Sequence, residues 1–589
     1  MALSRFENRL LKEVSVEEPC RLIDTFSGLI RECGSEGERQ AAEYITNRLR
    51  ELNIPTDIYE PNLYLSVPKH VSLEITHPES RELRHQSQIM NPKVMSMSPS
   101  VDWELQVIHV PAKRPTGISD FFNSGINQTD LKINGLAVLT EGLSIMPAMI
   151  KHLERQGARA VICITPGERT HAGISTSIWG TPTLENINEK PQIPTLSIAN
   201  SDGQYIKKLL NSGPLRIRIK TKLEEGWRKC LLPVASIKAK DTNQFLLLHG
   251  HLDSWFYGIG DNAVGDGGLL ELARVFHKFR KQIHRGLRVA WWPGHSHGRY
   301  GGSTWYADNF ALDLYENCVA QVNMDSPGCR GATAYEEVMW MDEAQELCRE
   351  AIKDVTGIYA KGIRPISAGD YSFNGIGITS FYMLLSNIPE AVRREKSLYT
   401  VGGSGGNVEW HTEDDDMRLL DKEILLNDLR IYALTILRVL NAPILPFDFT
   451  KTIDNSIAII NDYRKNSKGK LNLDPVLDEA RTLNRELHKF YSTTKALNKS
   501  KNRREIEKAN KTIMRLGRAL IPANYTEEGT LNHDMAVPIP PYPHMAKAEM
   551  LTLYPEDSDQ HRFLMNQLVR KRNQLVNALR TAREQVARQ

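Results

Sequence analysis

Apolar residues recur along the chain with two different periods, and the changes of period divide it into four regions. Residues 1–104 open on a helical pattern: in EGERQAAEYITNRLRELNI, Ala42, Ile45, Leu49 and Leu52 fall on one face. Strand-like runs such as HVSLEIT follow. Residues 105–225 read as a small β-α-β unit, with LAVLTEG as a strand, MPAMIKHLERQG as a helix ending on Gly157, and ARAVICITPG as a second strand. Its interior, GERTHAGISTSIWGTPTLENINEKPQIP, is rich in Gly, Thr, Asn and Pro and predicts loop.

Residues 226–447 alternate near-continuous apolar strands (PVASIKAK, NQFLLLHGH, GLRVAWWPG, ENCVAQVNMD, GIGITSFYML) with helices such as GDGGLLELARVFHKF. Strands of that kind are covered by helices on both faces. The pattern therefore predicts an α/β domain, a mixed and mainly parallel sheet sandwiched by helices. Residues 448–589 predict helices, with VPIPPYPH a stiff loop between them. The last segment sets Leu564, Leu568, Leu575 and Leu579 four and seven residues apart, an apolar stripe that predicts a partner surface and a homodimer.

Composition narrows the function classes. The 74 Lys+Arg and 71 Asp+Glu residues nearly cancel, so no global field favours nucleic acid or an anionic membrane. The basic run KALNKSKNRREIEKANK contains Glu505 and Glu507 and no aromatic residue, which favours a solvated helix face. The opening stretch carries charges through its apolar positions and does not read as a secretory signal. The stretch YALTILRVLNAPILPF is too interrupted to span a bilayer. Seven scattered cysteines without a CxxC predict reduced thiols and a cytoplasmic location.

Chemistry-bearing residues gather where the strands of the 226–447 region end, the usual place for sites in open α/β sheets. One strand ends with His249, His251 and Asp253, and Asp261 follows immediately before a helix. Another ends at Asp325, and NVEWHTEDDD supplies His411. Each has a plainer reading: Asp261 as a helix N-cap, Asp325 as a turn residue, His411 as a loop histidine. Together, two imidazoles and two carboxylates can form a binuclear metal site in which Asp261 bridges two cations. Asp253, two residues from His251 on the same strand face, is placed to orient it from behind.

This order of motifs resembles the binuclear zinc aminopeptidase and glutamate carboxypeptidase family. HLDSWFYGIGDNAVGDGG is especially similar to its glutamate carboxypeptidase and transferrin receptor branch. The resemblance implies that residues 105–225 form a protease-associated insert and that residues 448–589 form a helical dimerisation domain. It assigns His251, Asp261 and Asp325 to a first metal and His411 with bridging Asp261 to a second, with Asp253 supporting them. One or two divalent transition metal ions, zinc foremost, are implied. SAGDYSF resembles the segment lining the substrate pocket, which makes Asp370 and Tyr371 candidate substrate-binding residues.

The chain departs from the family where two adjacent glutamates serve as general base and metal ligand. Here LRVAWWPGHSHGRYGG puts His295 and Ser296 at those positions. Histidine can accept a proton near neutrality or bind a transition metal. His295 and His297 are therefore candidate catalytic residues or nitrogen donors, with Glu409 a candidate replacement carboxylate. The expected function is metal-dependent hydrolysis of an amide in a peptide or small peptide-like substrate, of aminopeptidase or carboxypeptidase type. The alternatives are other metal-dependent chemistry on a small metabolite, and a non-catalytic binding protein like the transferrin receptor. Retention of His251, Asp261, Asp325 and His411 argues against the last.

Overall fold

Two large sheets, a two-stranded one and a helical C-terminal region build the molecule, seen in a computed structural model that describes residues 3–78, 91–113, 115, 117, 126, 128–143 and 146–588. The strands of the 226–447 region form a six-stranded sheet. Its order across the sheet is Thr56–Tyr59, Leu232–Ile237, Gly286–Trp292, Phe245–His251, Cys318–Asn323 and Ser380–Phe381. Phe245–His251 runs parallel to both its neighbours, and Leu232–Ile237 runs antiparallel to both of its own. The mixed, mainly parallel α/β sheet expected from the apolar runs is therefore present.

Helices cover both faces because those strands are apolar on both sides. Val264–Lys278 is buried along nearly its whole length. Its glycines let it press against its neighbours: a Cβ on Gly268 would sit 2.5 Å from the Met324 sulfur, and one on Gly267 would sit 2.8 Å from Pro19 Cα. Lys422–Asn441 and the amino-terminal helices Glu17–Phe26 and Glu36–Glu51 join the same core.

The boundary of the second unit lies earlier in the chain than residue 105. Asn62–His77, which contains HVSLEIT, leaves the main sheet and pairs with Arg216–Lys229 in a long antiparallel ribbon. Asp102–His109, Ala137–Glu141, Ala160–Ile164 and Thr195–Ile198 extend this second sheet in parallel, and Lys93–Val94 closes it. Residues 62–229 thus form the second sheet, and of the region before it only Thr56–Tyr59 supplies a strand to the first.

The C-terminal helices Phe449–Asn466, Asp474–Thr494, Arg503–Tyr525 and Asp559–Ala587 pack on one another. Their apolar stripe corrects an expectation. Leu568, Leu575 and Leu579 are buried in the main core of this same chain, with Leu564 packed against it, so the stripe faces inward and does not await a partner. Among the described residues no helix is long and apolar enough to cross a membrane.

Candidate metal centre

The C-terminal ends of three adjacent parallel strands bring the chemistry together. His251 ends Phe245–His251, Asp325 lies two residues past Cys318–Asn323, and the GHSHG loop follows Gly286–Trp292. His251 Nε2 lies 2.8 Å from Asp261 Oδ1 and 3.8 Å from Asp325 Oδ2. His411 Nε2 lies 3.1 Å from the other oxygen of Asp261. All four residues are buried or nearly so.

Backbone contacts fix this geometry. The Asn262 side chain donates to Met324 O at 2.9 Å and accepts from Ser326 N at 3.0 Å, tying the Asp261 loop to the Asp325 loop. Asp415 accepts from Gly260 N and holds the same loop from the other side. The buried Arg31 guanidinium donates to Leu252 O, Tyr257 O and Gly258 O, the segment that links His251 to Asp261. His411 sits in the left-handed backbone region at φ 59°, a conformation held only because its surroundings impose it.

The imidazole orientations fit a cation. His251 Nδ1 lies 2.8 Å from the Asp253 carbonyl, and His411 Nδ1 lies 2.9 Å from the Ala172 carbonyl. A carbonyl only accepts, so each Nδ1 carries the proton and each Nε2 is the nitrogen aimed at Asp261. Burial opposes ionisation of Asp261, but its hydrogen bonds with His251 and His411 outweigh burial and hold its carboxyl well below the usual carboxylate range. Burial disfavours the His251 cation too, yet Asp261 and Asp325 beside it raise its pKa well above the usual value. Asp325 is pushed up to about 6 by burial and by the charge on Asp261. Two carboxylates here call for a positive charge between them, and a divalent metal ion supplies one. His251, Asp261 and Asp325 offer ligand atoms that all lie within 4.8 Å of one another.

Next to this donor set stands His295. Its ring stacks on His251 with centroids 3.9 Å apart, and its Nδ1 lies 2.9 Å from Asp370 Oδ2. Asp370 is fully buried, and its other oxygen accepts from Ser303 Oγ at 2.7 Å. A carboxylate only accepts, so Nδ1 carries the proton and Nε2 is left as the basic nitrogen. His295, Asp261, Asp325 and His411 line one cavity of about 70 Å³, walled by Trp255, Tyr300, Met383 and Trp410.

Comparison with known proteins places this stretch. Residues 234–435 match the model of peptidase family M28. That stretch of the chain is thus similar to the M28 peptidases. The chain is 25% identical over 320 residues to leucine aminopeptidase 2 of Trichophyton equinum, covering 50% of this chain and 58% of that protein. A probable glutamate carboxypeptidase of Zea mays is 21% identical over 489 residues, covering 71% of this chain and 65% of that protein. The chain thus spans less than two thirds of the length of these curated relatives. The solved aminopeptidase from Aneurinibacillus sp. strain AM-1 shares the fold, with a TM-score of 0.53 at 18% identity over 74% of this chain and 96% of that one.

Within this stretch the other residues singled out from sequence take different places. Asp253 supports His251 through its carbonyl, while its carboxylate accepts from the main-chain N–H groups of His295 and Ser296 at 2.8 and 2.9 Å. Its work is to hold the GHSHG loop. His297 lies off the cavity wall: its ring turns to Cys33 Sγ, 3.2 Å off, and burial pulls its pKa down to about 4. Alternation along the loop sends His295 and His297 to opposite sides. Asp370 anchors His295 and does not line the cavity. Tyr371 lies in an apolar cluster with Trp179, Tyr300 and Met383, also off the cavity wall. Glu409 binds Arg330 at 2.8 Å and replaces no ligand. His249 is held by Gln321 and packs on Trp292 and Phe373, a core role.

The second sheet's unit supplies what sequence reasoning missed. Ala172 exchanges both main-chain and side-chain hydrogen bonds with His411, His171 Nδ1 lies 2.6 Å from Trp410 O, and Ile174 lines the cavity. These residues stand in a stretch whose Gly, Thr and Asn content signals loop and nothing more.

Proposed function

We propose that the chain is a metal-dependent hydrolase that cleaves an amide bond in a small peptide or peptide-like molecule. The observation that carries this reading is the meeting, in one cavity, of the Asp261, Asp325 and His411 donors with a histidine whose Nδ1 is tied to a buried carboxylate. Two imidazoles and two carboxylates suit zinc. Held by His251, Asp261 and Asp325, with His411 on the far oxygen of Asp261, such an ion supplies Lewis acidity toward the carbonyl and lowers the pKa of water.

The chain's own residues do the rest. His295 Nε2 accepts the proton of the attacking water and returns it to the leaving nitrogen. Asp370 keeps the imidazole in the right tautomer and stabilises the imidazolium that forms. Ser296 stands where the family carries its second glutamate, so the second metal position relies on His411 and Asp261.

The reading extends to the rest of the molecule. Residues 62–229 are a protease-associated-like insert that completes the site around His411. The C-terminal helices mediate a homodimer, supported by the exposure of Leu553 and Phe563 there. The seven unpaired cysteines, six of them buried, support a reducing, cytoplasmic location.

The test begins with protein purified without chelator. It should contain zinc or another transition metal, hydrolyse members of a panel of aminoacyl anilides and N-acyl amino acids, stop on chelation and recover on reloading. Hydrolysis that chelation leaves untouched, or protein that cannot be loaded, refutes the reading. Light scattering that returns the monomer mass refutes the dimer.

A further inference from the structure

Among the described residues the buried arginines are well provided for, with one exception. Arg31 donates to three carbonyls, and Arg518 to Tyr315 O, Gly377 O, Leu314 O and Cys318 O. Arg299 is just as deep, 4% exposed, and its one hydrogen bond to an acceptor oxygen of the main chain runs from Nη2 to Ile174 O at 2.9 Å. Its Nε is buried without a partner, and no carboxylate lies within 4.0 Å of it among the described residues. Tyr300 beside it adds a polar contact, but a guanidinium out of water with its Nε unpaired and no carboxylate partner costs several kcal/mol unless something pairs with it. Arg299 lines the cavity that holds His295, Asp261, Asp325 and His411. Among the described residues no other arginine and no lysine lines that cavity; Trp255, Trp410, Tyr300, Met383 and Ile174 form its apolar walls.

We propose that Arg299 is the substrate anchor and that the substrate is a small amide bearing a free carboxylate near the scissile bond, the acid of an N-acyl amino acid or a C-terminal residue. This rests on the hydrolase reading above and deepens it. A planar fork of N–H groups matches a carboxylate. A free amine, the handle of an aminopeptidase substrate, would need an unengaged carboxylate instead, and the cavity's two acids, Asp261 and Asp325, are committed to the metal position. A doubly charged phosphate would need more donors than one guanidinium in apolar walls provides. The GHSHGRY loop thus delivers both the base, His295, and the anchor four residues on.

The experiment compares N-acetyl-leucine with N-acetyl-leucinamide, which differ in the carboxylate alone, by calorimetric binding to the metal-loaded protein. The acid is expected to bind about 10- to 100-fold more tightly, the range of hydrogen bonds to a charged group. Arg299→Gln should abolish most of that preference and Arg299→Lys should restore part of it. An unchanged acid-to-amide ratio in Arg299→Gln overturns the proposal, because the metal alone would then explain it. Inorganic phosphate competing more strongly than acetate overturns the carboxylate assignment. Should Arg299→Gln fail to fold, a crystal of the wild-type protein with N-acetyl-leucine decides: the carboxylate sits on the Arg299 guanidinium or the proposal is wrong. Turnover of the same pair separates the two readings. Arg299-dependent binding without any hydrolysis leaves the anchor and removes the hydrolase. Equal hydrolysis of acidic and neutral amides removes the anchor and leaves the hydrolase.

Discussion

Replacing Asp370 by asparagine removes one charge from the centre and almost no volume. The asparagine oxygen can still accept from His295 Nδ1, and its amide can donate to Ser303 Oγ, now 2.7 Å from the carboxylate. Packing and the position of the imidazole should therefore survive. What is lost is the negative charge beside the proton-carrying His295. That charge persists in a fully buried place: burial works against it, but His295 outweighs burial and holds the carboxyl below its ordinary range. A hydrogen bond to a charged group contributes roughly 1.5–3 kcal/mol against about 1 for a neutral one. The transition state, in which His295 becomes a cation, should lose about 1–2 kcal/mol of stabilisation, and more if the other imidazole tautomer is populated. The expected result is a fall in kcat of about 5- to 30-fold, and up to about 100-fold with the tautomer effect. KM and metal content should stay the same, because Asp370 lines neither the cavity nor the metal position. Steady-state kinetics on a substrate found in the amide panel, with elemental analysis of the same preparation, reads both. A variant within twofold of wild type would show that His295 needs no charged partner and does not take up a proton in the rate-limiting step. A variant that loses metal as well would make His295 a ligand and not a base.

Other consequences can be measured separately. His295→Ala should lower turnover about 10²–10⁴-fold with metal content retained, and full activity in this variant would remove His295 from the chemistry. Arg31→Met leaves the carbonyls of Leu252, Tyr257 and Gly258 without their donor, so stability to urea should fall by about 3–5 kcal/mol and metal should bind more weakly; a loss under about 1 kcal/mol would refute this account of the loop. Glu343, fully buried between Thr379 and Thr452, is pushed by burial from its ordinary 4.5 up to about 7. The folded form then holds a proton that the unfolded chain has released, so this group's contribution to stability falls as pH rises from about 4.5 to about 7. The difference has an upper limit of about 3 kcal/mol. Glu343→Gln should therefore gain stability over wild type at pH 8 and none at pH 4, and equal urea midpoints at pH 8 would contradict it.

Much of the centre was legible because strand ends are legible. Apolar runs that stop on His251 and Asp325 place those side chains at the same edge of a parallel sheet whatever the strand order. The two histidines of the GHSHG loop were legible as a pair but not as individuals. Which one faces the metal depends on Asp253 pinning the main chain of His295 and Ser296, and on Cys33 receiving His297, a residue 264 positions away. The domain boundary was illegible for a related reason. A strand with alternating polarity such as HVSLEIT says which of its faces is buried but not which sheet it joins, and the partner of Asn62–His77 begins at Arg216. The leucine stripe at the C-terminus has the same limit: periodicity finds an apolar face without naming what covers it.

The stretch after Gly167 shows the deeper difficulty. Its composition reads as surface loop, yet Thr170–Gly180 is buried throughout. Buried backbone must be hydrogen-bonded, and a strand or helix would do this within its own element. Here the partners lie in the domain of the six-stranded sheet and elsewhere in the insert: Ala172 N donates to His411 O, Ser175 N to Ser96 O, and Gly180 N to Arg299 O. A loop satisfied in this way cannot be recognised from its own residues. The same bonds make it part of the centre, since the Ala172 carbonyl sets the His411 tautomer and the Ile174 carbonyl accepts from Arg299 Nη2. The insert therefore orients both a metal donor and the proposed anchor, and a displacement of residues 170–180 would disturb both at once while leaving His251, Asp261 and Asp325 in place.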